Sequence, residues 1–294
     1  MSLIKGIHAA SLSIINENLS LNIDKTIKHA ENIINYGCHG VVFFGSTGQS
    51  QLISLSEKIQ LINKLPSSNY RDKFIIGTGC NSLLDTISLM RISLNLGFDK
   101  FLIMPPAYYK YEDSDVINFY SKIVNELKES KIILYNFEKL SGYKFSIESV
   151  ENLVTKYPDQ IIGVKDSSYN LYENLKIDNF SILPGSETKL LKGLKLGCSG
   201  IITATCNITA DISRKVFDDF YLEKDSSYNE QLCSIREEFD NYNLISALHS
   251  YFSVKDKIYK NVIPPLKLLK ADDKNKMIKN LDKLNFSTNN LMVA

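Results

Sequence analysis

The chain has 294 residues, of which 44% are hydrophobic, and a formal net charge of +1. That length exceeds the usual domain, yet single barrel domains reach it and there is ample chain for a large core. The interspersed charges leave no basic stripe for nucleic acid, and no window is long and apolar enough to span a bilayer. The start, Met1-Ser2-Leu3-Ile4-Lys5, lacks the charged-then-apolar pattern of a signal peptide, so a cytoplasmic protein is expected. Its cysteines, Cys38, Cys80, Cys198, Cys206 and Cys233, are odd in number and show no C-x-x-C pair, which predicts reduced thiols rather than a disulfide framework or a zinc knuckle. The sequons at Asn18, Asn207 and Asn285 then carry no weight.

Taken in chain order, a weak first strand near Gly6–Ala10 is followed by β-rich apolar runs at Val41–Phe44, Phe74–Ile76, Phe101–Met104, Ile132–Tyr135, Ile161–Val164, Ile182–Leu183 and Ile201–Ile202. Continuous apolarity of this kind suits strands buried on both faces. Segments with helical spacing lie between them, for example Val116, Phe119, Tyr120, Ile123, Val124 and Leu127, then Ile147, Val150, Leu153, Val154 and Tyr157. Eight strands, each followed by a helix candidate and the last helix at roughly Asp211–Leu222, predict an α/β fold, a (β/α)8 barrel over residues 1–224. From 225 to 294 only helical patterns remain, around Tyr228–Asp240, Leu244–Lys257 and Leu266–Leu284, so a C-terminal helical extension is expected.

In a barrel the loops after the strands form the active face, so chemistry is sought at strand C-termini. Gly45-Ser46-Thr47-Gly48 follows strand two, Tyr135-Asn136 closes strand five and Lys165 closes strand six. Gly185-Ser186-Glu187 follows strand seven, and Thr203–Thr205 closes strand eight. A lysine held among apolar groups can attack a ketone and form a Schiff base, which makes Lys165 the candidate nucleophile. The protonated imine is an electron sink, and a positioned phenol can move the proton, a role that suits Tyr135. The glycine-flanked Ser46-Thr47 turn can offer backbone N–H groups and hydroxyls to the carboxylate of an α-keto acid. Taken singly, each feature has a plainer reading: a solvated strand-end lysine, a core tyrosine, a helix-capping turn, and for Glu187 an electrostatic cap. Their co-occurrence favours chemistry. His8, His29, His39 and His249 form no ligand set with carboxylates, so no metal is assigned, and Gly77-Thr78-Gly79 lacks the spacing of a phosphate loop.

These motifs, with Gly163-Val164-Lys165-Asp166 and Gly197-Cys198-Ser199-Gly200-Ile201, stand in the order and at the spacing of the dihydrodipicolinate synthase and N-acetylneuraminate lyase family, which the chain resembles almost end to end. The resemblance implies a class I aldolase with no external cofactor, in which Lys165 forms the Schiff base with pyruvate and Tyr135 relays protons. By the same likeness Ser46 and Thr47 hold the carboxylate, and Gly185, Glu187 and Thr203 belong to the substrate site. It also implies a homotetramer of tight dimers, in which a tyrosine of the Pro105-Pro106-Ala107-Tyr108-Tyr109 loop, Tyr108 or Tyr109, completes the relay across an interface. Synthase members carry an arginine five residues after the strand-five tyrosine, where this chain has Leu140; Leu140-Ser141-Gly142 and Ser46 look like the lyase branch. Gly185-Ser186-Glu187 is similar to the turn of 2-keto-3-deoxy-sugar-acid aldolases. Gln49 stands where the family usually has Glu, and Glu138 where it has Pro. Ile263-Pro264-Pro265-Leu266-Lys267 looks like the start of a C-terminal family helix. The expected activity is thus cleavage or synthesis of a 2-keto-3-deoxy acid through imine-bound pyruvate. The alternatives are a synthase using aspartate semialdehyde, a non-catalytic α-keto-acid-binding barrel and a phosphosugar isomerase barrel.

Overall fold

The computed structural model describes residues 4–287 and 293–294; Met1–Leu3, where the signal-peptide reading falls, and the extreme tail at 288–292 lie outside the described residues. Eight parallel strands make the (β/α)8 barrel: β1 (Gly6–Ala10), β2 (Gly40–Phe43), β3 (Phe74–Gly77), β4 (Lys100–Ile103), β5 (Lys131–Asn136), β6 (Ile161–Asp166), β7 (Ser181–Pro184) and β8 (Gly200–Thr203). Their order runs β7-β6-β5-β4-β3-β2-β1-β8, and Ser199 N–H donates to the Ile182 carbonyl at 2.9 Å where the ring closes.

Alternation along each strand builds two apolar layers, because successive side chains point to opposite faces. Ala10, Val42, Ile75, Leu102, Ile133, Leu183 and Ile202 fill the barrel interior. Ile7, Val41, Phe43, Phe74, Phe101, Ile132, Val164 and Ile201 belong to the outer layer shared with the helices. Small residues admit this packing: a Cβ on Gly163 would stand 2.6 Å from the Ser181 carbonyl oxygen.

The outer helices are α1 (Ile23–Asn35), α2 (Leu55–Lys64), α3 (Leu83–Asn95), α4 (Asp113–Glu126), the single turn α5 (Glu138–Ser141), α6 (Ile147–Lys156), α7 (Leu190–Lys195) and α8 (Cys206–Tyr221). Side-chain caps start several of them: Asn22 accepts from Lys25 N–H, Ser54 forms a capping box with Glu57, and Ser82 and Ser146 accept from Asp85 and Ser149 N–H. Beyond the barrel come α9 (Asn229–Asp240), α10 (Leu244–Phe252) and α11 (Ala271–Lys283). Leu232, Ile235, Phe239, Leu248, Phe252 and Met277 join these helices to the same outer core.

Three expectations from the sequence need correction. No α-helix follows β6; residues 167–180 run as turns instead. The reason is Asp166, whose buried carboxylate accepts from the backbone N–H groups of Ser168, Tyr169, Leu171 and Tyr172 and so winds the chain around itself. The last helix begins at Ala271, not Leu266, because consecutive Pro264 and Pro265 supply no N–H, and Asp272 and Asp273 suit a helix N-terminus. Helix α8 begins at Cys206, earlier than Asp211, which brings Asn207 under the barrel rim.

Candidate active site

Strands β5 and β6 pair with Tyr135 opposite Lys165 and Asn136 opposite Asp166. The pairing puts phenol and amine side by side in the barrel mouth. Lys165 is 3% exposed, and its Nζ lies 4.2 Å from the centre of the Tyr135 ring. Among the described residues that amine has no hydrogen-bond or ion-pair partner. Below it, Asp166 accepts from Asn136 Nδ2 at 2.9 Å, which locks the ends of both strands.

The turn after β2 closes over the same point. Tyr135 Oη and Ser46 Oγ are 3.0 Å apart. Thr47 is buried, faces the cavity, and its hydroxyl makes no hydrogen bond among the described residues, so contact with the phenol belongs to Ser46. Gly48 N–H and Gln49 N–H donate back to Gly45 and Ser46 carbonyls, whereas the N–H groups of Ser46 and Thr47 meet no acceptor among the described residues. Two free donors beside an amine form a fitting cradle for a carboxylate.

A cavity of about 350 Å³ opens from this point, lined by Ser46, Thr47, Tyr135, Lys165, Gly185 and, at its outer part, Tyr169, Arg236 and Asp240. A Cβ on Gly185 would crowd Ser167, falling 2.2 Å from its Oγ and 3.0 Å from its Cβ. A second cavity, of about 360 Å³, shares Ser46 and Tyr135 as a wall and extends past Leu102, Met104, Tyr108 and Leu140. No charged side chain lines it.

Not every residue expected from the sequence faces the cavity. Glu187 is fully buried behind it, bonded to Arg236 Nη1 at 3.0 Å and to Thr203 Oγ1 at 2.6 Å. Neither Glu187 nor Thr203 is among the residues that line the cavity; both meet Arg236, which does. Tyr108 and Tyr109 are 91% and 69% exposed on the loop after β4, and neither bonds to Tyr135. Asn81 accepts from Ala107 N–H at 2.9 Å and so anchors that loop.

Sequence reasoning missed Arg236. Nothing in the local pattern of α9 marks it, since it looks like any arginine on an amphipathic helix. A buried Glu187 in need of a cation was the available signal. Burial works against the guanidinium's charge, but the carboxylates of Glu187 and Asp240 together outweigh it and hold the group above its ordinary basicity. Nη2 of Arg236 keeps no partner among the described residues, leaving a donor for the cavity it lines. The same residues include no group of three or more His, Cys, Asp or Glu that could hold a metal ion, and no helix long and apolar enough to cross a membrane.

A (β/α)8 barrel with a buried, unpaired lysine against a tyrosine at the strand C-termini defines a class I aldolase scaffold. The model of the Dihydrodipicolinate synthetase family matches residues 3–284, and the chain belongs to that family of pyruvate-dependent lyases. It is 31% identical over 204 residues to 4-hydroxy-tetrahydrodipicolinate synthase of Listeria monocytogenes, covering 67% of this chain and 69% of that one. Over 222 residues it is 28% identical to N-acetylneuraminate lyase of Clostridium perfringens, covering 73% and 75%. The crystal structure of dihydrodipicolinate synthase from Aquifex aeolicus superposes with a TM-score of 0.89 at 19% identity, over 98% of this chain and all of that one, a likeness of fold.

Proposed function

We propose that this enzyme cleaves, or in reverse makes, a 2-keto-3-deoxy sugar acid, with pyruvate bound as an imine of Lys165. The observation that carries the reading is the Lys165 amine, buried, without a polar partner and 4.2 Å from the Tyr135 ring. Its lone pair attacks the C2 carbonyl of the keto acid, Tyr135 gives its proton to the departing hydroxyl so that water leaves, and a protonated imine forms beside the phenolate. The bond between C3 and C4 then breaks as its electrons flow into the imine, while the C4 hydroxyl proton passes to Tyr135 and an aldehyde departs. Tyr135 then gives that proton to C3 of the enamine, and water hydrolyses the imine, releasing pyruvate, restoring the amine and returning a proton to Tyr135. Ser46 supports Tyr135 through the 3.0 Å contact, and the free N–H groups of Ser46 and Thr47 bind the carboxylate.

The hydroxylated tail of the substrate would run toward Ser167, Tyr169, Arg236 and Asp240, a donor and acceptor set suited to hydroxyl groups. A synthase reading requires a clamp for the carboxylate of aspartate semialdehyde; the cavity past Leu140 is uncharged, so that task would fall to Lys139 or Arg236 of the first cavity, neither of which stands where synthases carry their arginine. The exposed Tyr108 and Tyr109 support a further reading, that the loop after β4 meets a second copy of the chain in a homotetramer. The test is incubation with pyruvate and borohydride, followed by peptide mass spectrometry, with aldehydes then supplied to the enamine. A reduced pyruvyl adduct on Lys165 and turnover with polyhydroxy aldehydes are expected. No adduct would leave a silent keto-acid-binding barrel, and turnover with aspartate semialdehyde alone would favour the synthase.

A further inference from the structure

We propose that Gln49 is a positioning residue: its side chain ties the carboxylate-binding turn at Ser46–Gly48 to the C-terminal helical region through His249, and this uncharged tie sets affinity for the α-keto acid. The inference rests on the reading of that turn as the keto-acid cradle.

Gln49 is 2% exposed and sits in the left-handed region, at φ 55° and ψ 29°, which a side-chain-bearing residue seldom occupies without support. Its backbone closes the turn on both sides, donating to Ser46 O at 3.0 Å and accepting from Leu52 N–H at 2.9 Å. The side chain supplies the support. Oε1 accepts from Ile263 N–H at 2.8 Å, and Nε2 lies 3.3 Å from His249 Nε2.

These contacts leave one arrangement of protons. Ile263 N–H can only donate, so the amide oxygen must face it and the amide nitrogen must face His249. An amide nitrogen only donates, which makes His249 Nε2 the acceptor. Its Nδ1 therefore carries the hydrogen and donates to the Tyr259 carbonyl at 3.0 Å. Beyond it the same logic continues: Tyr259 Oη lies 2.8 Å from His29 Nδ1, His29 Nε2 lies 2.9 Å from Asn207 Oδ1, and Asn207 Nδ2 donates to Ala10 O at the end of β1 at 2.8 Å. Asn207 Oδ1 also accepts from Leu12 N–H, so His29 Nε2 is the donor there. A chain of neutral groups, 200 residues apart in sequence at its first link, thus joins the active-site turn to α10, α1, α8 and the barrel rim.

The groups that face His249 are Gln49, Tyr259 and His29; no carboxylate pairs with it among the described residues. Burial lowers both histidines to about 4, consistent with a tie that stays uncharged near neutral pH. A carboxylate at position 49 could not donate to His249. It would recruit a proton onto Nε2 and turn the neutral pair into an ion pair that titrates.

The test uses the full chain and reads the pyruvate concentration that half-saturates borohydride trapping at Lys165. Gln49→Leu keeps the bulk and deletes both polar contacts; half-saturation should rise about tenfold while the limiting trapping rate stays within about twofold. Gln49→Asn falls a methylene short of spanning Ile263 and His249 and should move in the same direction, a safeguard if the leucine variant does not fold. Gln49→Glu should add to the wild-type profile a further dependence of half-saturation on pH between about 6 and 8. A folded Gln49→Leu or Gln49→Asn protein with wild-type half-saturation, or a Gln49→Glu profile parallel to that of the wild type, would overturn the tie alone. A wild-type protein that yields no adduct at any pyruvate concentration would instead overturn the Lys165 reading, and the tie with it.

Discussion

Two lysines lie almost wholly buried at the same end of the barrel, and they differ in what meets the ammonium group. Lys58 of α2, 2% exposed, donates to the carbonyls of Thr78 and Gly79 at 3.0 and 2.9 Å and reaches Cys80 Sγ at 3.7 Å. Lys165, 3% exposed, meets only the face of Tyr135. A buried cation that is surrounded by carbonyls is a cross-link, here between α2 and the loop after β3. One that faces a cavity with its donors unused is free to react. Burial is the same in both; partner chemistry separates structure from function.

The sharpest way to break that comparison is to exchange the outcomes of removing each amine. Lys165→Ala should abolish the borohydride-trapped pyruvyl adduct while leaving the thermal melt close to that of the wild type, because no polar partner is orphaned. An adduct of wild-type yield in that variant would place the imine elsewhere. The next effect in size concerns its neighbour. Tyr135→Phe keeps the ring beneath Nζ and deletes the hydroxyl that touches Ser46, so turnover should fall by about a hundredfold or more with a much smaller change in half-saturating pyruvate. Equal losses in both would make Tyr135 a binding group rather than a proton carrier. Lys58→Met should do the reverse of Lys165→Ala. With the Thr78 and Gly79 carbonyls left without their donor, stability should drop by about 2 kcal/mol in chemical denaturation, and trapping by the folded protein should persist.

The barrel was legible because each strand is a short apolar run with turn residues behind it, a pattern set by local sequence. Lys165, Tyr135 and Ser46 were legible for the same reason: each sits at a strand end, where chain order alone dictates which mouth it faces. Arg236 and Lys58 were not, because both lie on helices, and what each meets is fixed by contacts across the fold. Glu187 shows the limit from the other side. Its place after β7 pointed to the mouth, but the 3.0 Å bond to Arg236 turns it behind the cavity wall, a choice that only the position of α9 decides. The stretch after β6 was misread as helical because the power of one carboxylate, Asp166, to gather four backbone N–H groups is invisible in hydrophobic periodicity.

Acid provides the gentlest probe of the same contrast. Burial, the largest cause in each case, lowers His8, His29 and His249 from 6.5 to about 4. An unfolded imidazole takes a proton near 6.5, whereas these folded ones take it only near 4. Between those values the unfolded state holds more protons, so stability falls as pH drops from 6.5 toward 4, by about 1 kcal/mol per pH unit for each fully buried histidine. Above that window neither state is protonated and these histidines give no slope. The partners of Lys58 are two backbone carbonyls, which do not titrate, and the Cys80 thiol, which burial pushes upward, away from this window. Stability curves of the wild type and of Lys58→Met should therefore fall in parallel across the window, separated by a constant gap. Curves that converge as the pH falls would mean that the Lys58 cross-link is itself weakened by acid, and the division between a lysine that holds the fold and one that serves chemistry would lose its simplest support.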